Sequence, residues 1–163
     1  MQRRIVEFGQ DEIGAWVALL DCGHRQHVRH NPPFTNRPWV ETEAGRGEQL
    51  GQELVCPLCD RFEFPNDFAP YKRTPEFTEA TVPAGLTSNH STKAGVWAKI
   101  NVVEGRLRYR VDPLNAEFEL SSAAPGIVVP QVVHYVEPMG SVRFYVEFYR
   151  AQPGAGIPKG HAS

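Results

Sequence analysis

The nine residues CGHRQHVRH, Cys22 to His30, hold one of the chain's three cysteines and three of its six histidines. The other two cysteines stand together in CPLCD, as Cys56 and Cys59. This distribution constrains folding more than any other feature of the sequence. Three cysteines cannot all pair as disulfides, and two short chelating elements can close a tetrahedral ion from opposite sides with nitrogen and sulfur ligands. RRIVEF and AWVALL flank the polar GQDEIG and are expected to form a hairpin, which puts Cys22 at a strand exit and makes Gly23 the turn of a metal knuckle. The expected site is a structural zinc held by Cys22, His24, Cys56 and Cys59, with His27 able to substitute for His24. In QHVRH, strand alternation sends His27 and His30 to opposite faces, and both are expected to be structural. Cys56-x-x-Cys59 read alone would also suit a dithiol redox pair, but that chemistry needs a βαβ setting that the sequence does not offer.

With 22% charged residues and a formal net charge of −2, the 163-residue chain carries no global positive field to recruit nucleic acid or an anionic membrane. Arg25, Arg29 and Arg37 cluster near Trp39, and we read them as a solvated surface. No apolar run is long enough for a signal peptide core or a transmembrane helix, so a cytoplasmic location is expected. Residues 1–62 are read as the zinc-binding domain. Pro65, Pro70 and Pro75 mark 63–75 as a linker. Residues 76–150 change to short β-branched and aromatic runs: Leu107, Tyr109 and Val111 alternate with Arg106, Arg108 and Arg110, and Phe144, Val146 and Phe148 with Arg143, Tyr145 and Glu147. The Gly/Pro-rich 151–163 are expected to be a flexible tail. The chain is thus expected to be mainly β, a small α+β zinc domain followed by a sandwich or barrel.

Three resemblances add to this reading. The spacing Cys22-x-His24 with Cys56-x2-Cys59 is similar to one ligand set of a RING-type finger, although the opening cysteine pair is missing and neither a RING fold nor its chemistry is implied. The N-terminal segment resembles small bacterial domains with the same Cys-Gly-His and paired-Cys elements, which bring no function with them. NHSTKAGVWAKINVVEGRLRYR and PQVVHYVEP resemble the TehB/YeaR-like cupin domain of tellurite-resistance proteins, over roughly residues 71–150. His90, Lys93, Gly95, Trp97, Lys99, Gly105, Pro130, His134 and Glu137 carry the match. It implies a double-stranded β-helix whose pocket, or second divalent metal, lies at His90, His134 and Glu137, with Trp97 and Lys99 on the wall. Strand alternation by itself turns Glu137 and Glu147 away from that interior. The resemblance also implies that the chain binds or senses a small molecule or oxyanion in a tellurite or nitrosative stress response, as a non-enzyme, with a homodimer formed through the cupin. Two alternatives stand beside it: a metal-dependent cupin enzyme of oxidation or isomerisation, and a regulatory protein that uses its finger for partner contact. No Gly-rich loop follows a strand, so methyl transfer is not expected.

Overall fold

A computed structural model of the chain describes residues 1–154. The expected tail falls outside the described residues from position 155 onward. Two compact units form, one built on Met1–Asp67 and the other on Phe68–Ala151.

In the first unit, β1 (Gln2–Gln10) and β2 (Trp16–Leu20) form the expected antiparallel hairpin. Asp11 closes its turn, its Oδ1 accepting from the amides of Ile13 and Ala15 at 3.0 and 2.9 Å. β3 (Arg25–His27) joins the outer side of β2. After α1 (Glu43–Gln49), β4 (Glu53–Val55) joins β1, giving the sheet order β3-β2-β1-β4. Thr42 caps α1 by accepting the Gly45 amide on its hydroxyl at 3.0 Å. Ile5, Val17, Ala18, Leu20 and Val28 are buried; in β1 Arg3 and Ile5 alternate with exposed Gln2 and Arg4, whereas β2 buries the consecutive Val17 and Ala18. A last short helix, α2 (Pro57–Asp60), begins one residue after Cys56, with Pro57 at a first-turn position where a missing N–H costs nothing.

The second unit begins with β5 (Phe68–Arg73) and β6 (Phe77–Thr78), followed by a single turn of helix, α3 (Ala84–Thr87). It is dominated by two long strands, β7 (Trp97–Val111, 15 residues) and β10 (Tyr135–Ala151, 17 residues), which pair antiparallel with each other. β8 (Ala116–Leu120) pairs with the second half of β7 and β9 (Gly126–Val128) with its first half. The two halves can serve different neighbours because the ladder bends between them. Its register shifts between Pro138 and Val142, opposite Gly105. Gly105 has a φ of +81°, and a Cβ there would run into the Ser141 carbonyl, so only glycine fits. Leu107, Tyr109, Val111 and Phe144 are buried, and their alternating arginine partners lie outside.

Two expectations change here. Residues 68–73 of the expected linker are strand β5, paired with the end of β10; Pro70 is tolerated because β5 is the edge of the sheet, where an absent N–H breaks no ladder. Among the described residues the second unit is one curled sheet of six strands, and no pairing closes it into a barrel, so the double-stranded β-helix of a cupin is not supported.

Candidate functional site

The four expected ligands come together in the first unit. Cys22 and His24 sit in the turn between β2 and β3, held by Gly23 at φ +94° and by a hydrogen bond from the Leu20 amide to the His24 carbonyl at 3.0 Å. Cys56 ends β4, and Cys59 lies in α2. All four side chains are buried, and their ligand atoms lie within 4.8 Å of one another. His24 Nδ1 is 3.4 Å from Cys22 Sγ, 3.4 Å from Cys56 Sγ and 3.6 Å from Cys59 Sγ; the Cys22 and Cys56 sulfurs are 3.9 Å apart. Tetrahedral zinc with ordinary Zn–S and Zn–N bonds has ligand edges of about 3.8 Å between sulfurs and about 3.6 Å between sulfur and nitrogen. The cluster therefore has the size to hold a metal ion such as zinc, and it is too open for a disulfide.

The surroundings fit that use. His24 Nε2 is 2.8 Å from the Glu63 carbonyl, so Nε2 carries the proton and Nδ1 turns its lone pair to the centre. Hydrogen bonding from Cys22, with the charge and hydrogen bonding of Arg3 behind it, draws the Cys59 thiol down to about 4 against the burial that raises it. Cys22 is pushed up, chiefly by its hydrogen bond to Cys59, and Cys56 by burial. One thiolate thus discourages the next, an imbalance that a divalent cation would reverse. Three thiolates, a neutral imidazole and a divalent ion sum to −1. Arg3, 4% exposed, supplies a positive charge beside Cys59. Arg3 was not foreseen, although it shares strand parity with buried Ile5.

His27 is not a stand-in ligand. It is exposed, and its Nε2 meets Asp11 Oδ2 at 2.8 Å, which holds the Asp11 carboxyl below its usual range. His30 Nδ1 accepts the Arg37 amide at 3.0 Å.

The second unit contains a cavity of about 340 Å³. His90 and His134 both line it. Their backbones form a bridge, His90 N to His134 O at 3.0 Å and His134 N to His90 O at 2.9 Å, and their rings lie 4.2 Å apart between centroids. Each Nδ1 is 2.9 Å from a carbonyl, that of Ser88 for His90 and that of Val132 for His134. A carbonyl can only accept, so both Nδ1 atoms carry protons, and in the neutral rings both Nε2 atoms are bare lone pairs. His134 is 4% exposed, and its burial, followed by the nearby His90, lowers its pKa to about 4, which keeps it neutral. Val128, Val136 and Phe144 form an apolar wall, while Lys72 and Lys93 are exposed lining residues.

The other expected pocket residues lie elsewhere. Ala98 and Ile100 line the cavity, so the alternating Trp97 and Lys99 face away from it: Trp97 is buried and Lys99 lies over the Tyr149 ring, 6.0 Å from its centroid. Glu137 pairs with Arg108 at 3.2 Å on the exposed face. It cannot complete a two-histidine, one-carboxylate metal site, and among the described lining residues no carboxylate takes its place.

Comparison with known proteins agrees with this division. Residues 6–63 match the family described as "Protein of unknown function (DUF3565)", and residues 72–146 match the "TehB-like domain" family. A probable S-adenosyl-L-methionine-dependent methyltransferase TehB of Haemophilus influenzae is 32% identical over 78 residues, which make up 44% of this chain but only 27% of that relative. The crystal structure of H. influenzae TehB is 27% identical over 53% of this chain and 32% of its own, with a TM-score of 0.49. A protein from E. coli strain K12 matches at 21% identity over 55% of this chain and 97% of its own, with a TM-score of 0.50, a likeness of fold alone.

The named relative overturns the expected roles. The stretch that was to be a metal-binding cupin sensing a stress ligand is similar instead to part of a methyltransferase. The cupin oxidase or isomerase and the finger-mediated regulator fall with it. So does the expectation of a non-enzymatic role, and with it the exclusion of methyl transfer. No helix among the described residues is long and apolar enough to cross a membrane. The chain joins a segment that matches the DUF3565 model and carries a cysteine–histidine cluster able to hold a metal to a segment that matches the TehB-like model and carries a two-histidine pocket.

Proposed function

We propose that this chain is the acceptor-binding component of an S-adenosylmethionine-dependent methyltransferase, with its first unit closed by a structural zinc. The observation that carries the reading is the pair of cavity-lining histidines, His90 and His134, whose Nδ1 protons are committed to carbonyls, within the segment that matches the TehB-like family. The chain spans about a quarter of that relative, so the methyl donor is assigned to a separate methyltransferase part. The lining supports this assignment: a sulfonium cation is attracted by carboxylates and repelled by cations, and the charged residues around this cavity are Lys72 and Lys93. An acceptor held here against apolar walls is kept from water and turned toward an incoming methyl group. The zinc, bound by Cys22, His24, Cys56 and Cys59, supplies folding energy rather than chemistry, because four protein ligands leave no open position.

The test replaces the matched 78-residue segment of H. influenzae TehB with residues 72–146 of this chain and supplies tritiated S-adenosylmethionine with a panel of phenols and amines. We expect label in an acceptor, and its loss in the same chimera carrying His134→Phe. Equal labelling with and without that substitution overturns the reading. Metal analysis of the purified chain should give one zinc per molecule, and none in Cys56→Ser.

A further inference from the structure

Resting on the reading that the second unit's pocket holds a methyl acceptor, we infer that this acceptor is a small aromatic molecule with two hydroxyls on adjacent carbons, both donating to the His90 and His134 imidazoles.

Hydrogen-bonding capacity comes first. Both Nδ1 protons are committed to carbonyls, so the pocket offers two lone pairs side by side and asks the ligand for two donors. Both rings are anchored by the same two-stranded bridge, which fixes their 4.2 Å separation. Donors that are neighbours on one ring match such a pair, whereas donors at opposite ends of a ring do not. A fully deprotonated oxyanion brings only further lone pairs, which the two bare imidazole nitrogens repel. Between the two expected ligand classes, a small organic molecule and an oxyanion, the geometry favours the first.

The walls set the body of the ligand. Val128, Val136, Phe144 and Phe148 ask for an apolar, flat surface, and about 340 Å³ leaves room for ring substituents. A phenolic O–H is a stronger donor to a bare imidazole than an alcohol, and lysines at the exposed rim favour its ionisation. The chemistry then balances. One hydroxyl oxygen forms a bond to the methyl carbon as the carbon–sulfur bond of the sulfonium breaks, leaving a neutral thioether. The O–H proton moves to Nε2 of His90, which is partly exposed and can pass it to water. Buried His134, held neutral with its pKa near 4, accepts the second hydroxyl and positions the ring.

The experiment measures binding of four probes to the whole chain by calorimetry, with no methyl donor present. Catechol has two adjacent donors, guaiacol one and veratrole none on nearly the same body, while hydroquinone carries two at opposite ends. We expect catechol to bind most tightly, with affinity falling about five- to tenfold per lost donor and hydroquinone behaving like guaiacol. His134→Phe and His90→Ala should each bring catechol to about the level of guaiacol. If veratrole binds as well as catechol, or if tellurite displaces catechol, the inference is overturned. The wild-type series decides the matter even if a variant does not fold. Since no donor is present, the expected ordering combined with an inactive chimera would retire the methyl-transfer reading and leave the ligand class standing.

Discussion

Both sites of this protein use imidazoles that have one nitrogen tied to a backbone carbonyl, and they use them in opposite ways. In the first unit His24 gives its Nε2 proton to Glu63 and turns Nδ1 toward three sulfurs about 3.4–3.6 Å away, so the lone pair is enclosed by other ligands. In the second unit His90 and His134 donate from Nδ1 to carbonyls and line a cavity that combines apolar side chains with Ser91, Thr92, Lys72 and Lys93. The same fixing of the tautomer yields a closed ligand set where soft donors converge and an open receptor where they do not. What surrounds the free nitrogen, not the histidine itself, separates scaffold from pocket.

The strongest way to break this contrast is at the closed site. Cys56→Ser or chelation should unfold the first unit, since metal binding in small closed sites contributes on the order of 10 kcal/mol to folding. Near-ultraviolet circular dichroism and metal content should fall together; a variant that keeps both would mean that the cluster does not depend on its ion.

The open site should respond to pH instead. His134 has a folded value near 4 against an ordinary 6.5, so the unfolded chain takes up the proton first. Its contribution is complete above pH 6.5, and as the pH falls from 6.5 toward 4 about 3 kcal/mol should be lost. Urea unfolding of the second unit, followed by resonances of β7 and β10, measures this, and His134→Phe should flatten the slope. An equal slope in the variant would assign the acid sensitivity to other groups.

Arg3 sharpens the comparison on the charge side. Replacing it by Gln leaves the net −1 of a loaded Cys3His centre without its buried cation, and zinc affinity measured by chelator competition should weaken about 10- to 100-fold, as for other residues that support ligands. Lys should recover part of the loss. Unchanged affinity in both variants would limit Arg3 to a packing role.

The smallest effect is expected at Glu137. Its exposed pair with Arg108 at 3.2 Å makes Glu137→Gln worth less than about 0.5 kcal/mol. Catechol affinity should not move; a clear drop would return Glu137 to the pocket.

The closed site was legible because its information is local. Two chelating pairs, each within four residues, specify their own geometry, and only the meeting of the pairs had to be supplied by the sheet. Alternation likewise exposed the inward faces of β7 and β10. The pocket was half legible. His90 and His134 stand out by their motifs and do line the cavity together, whereas Trp97 and Lys99, expected on its wall, have the other strand parity beside Ala98 and Ile100. Strand β5 was missed because three prolines read as breakers, and a sequence does not reveal which strand will be an edge. Arg3 carries no motif, and only its place two residues before Ile5 points to an inward side chain.

The bend at Gly105 bears on how this pocket can change its taste. Ala98 and Ile100 on β7 and Phe144 and Val146 on β10 share one face of the same arm of the bent ladder, and Val136 comes from the arm beyond the bend, so much of the wall belongs to a single ribbon. The sheet side of this chamber is dimensioned by register, like the spacing of teeth on a closed zip, while residues 86–96 close the rest from a helical turn and a loop. On the sheet side, new preferences would then arise by exchanging one side chain for another of different volume, in discrete steps.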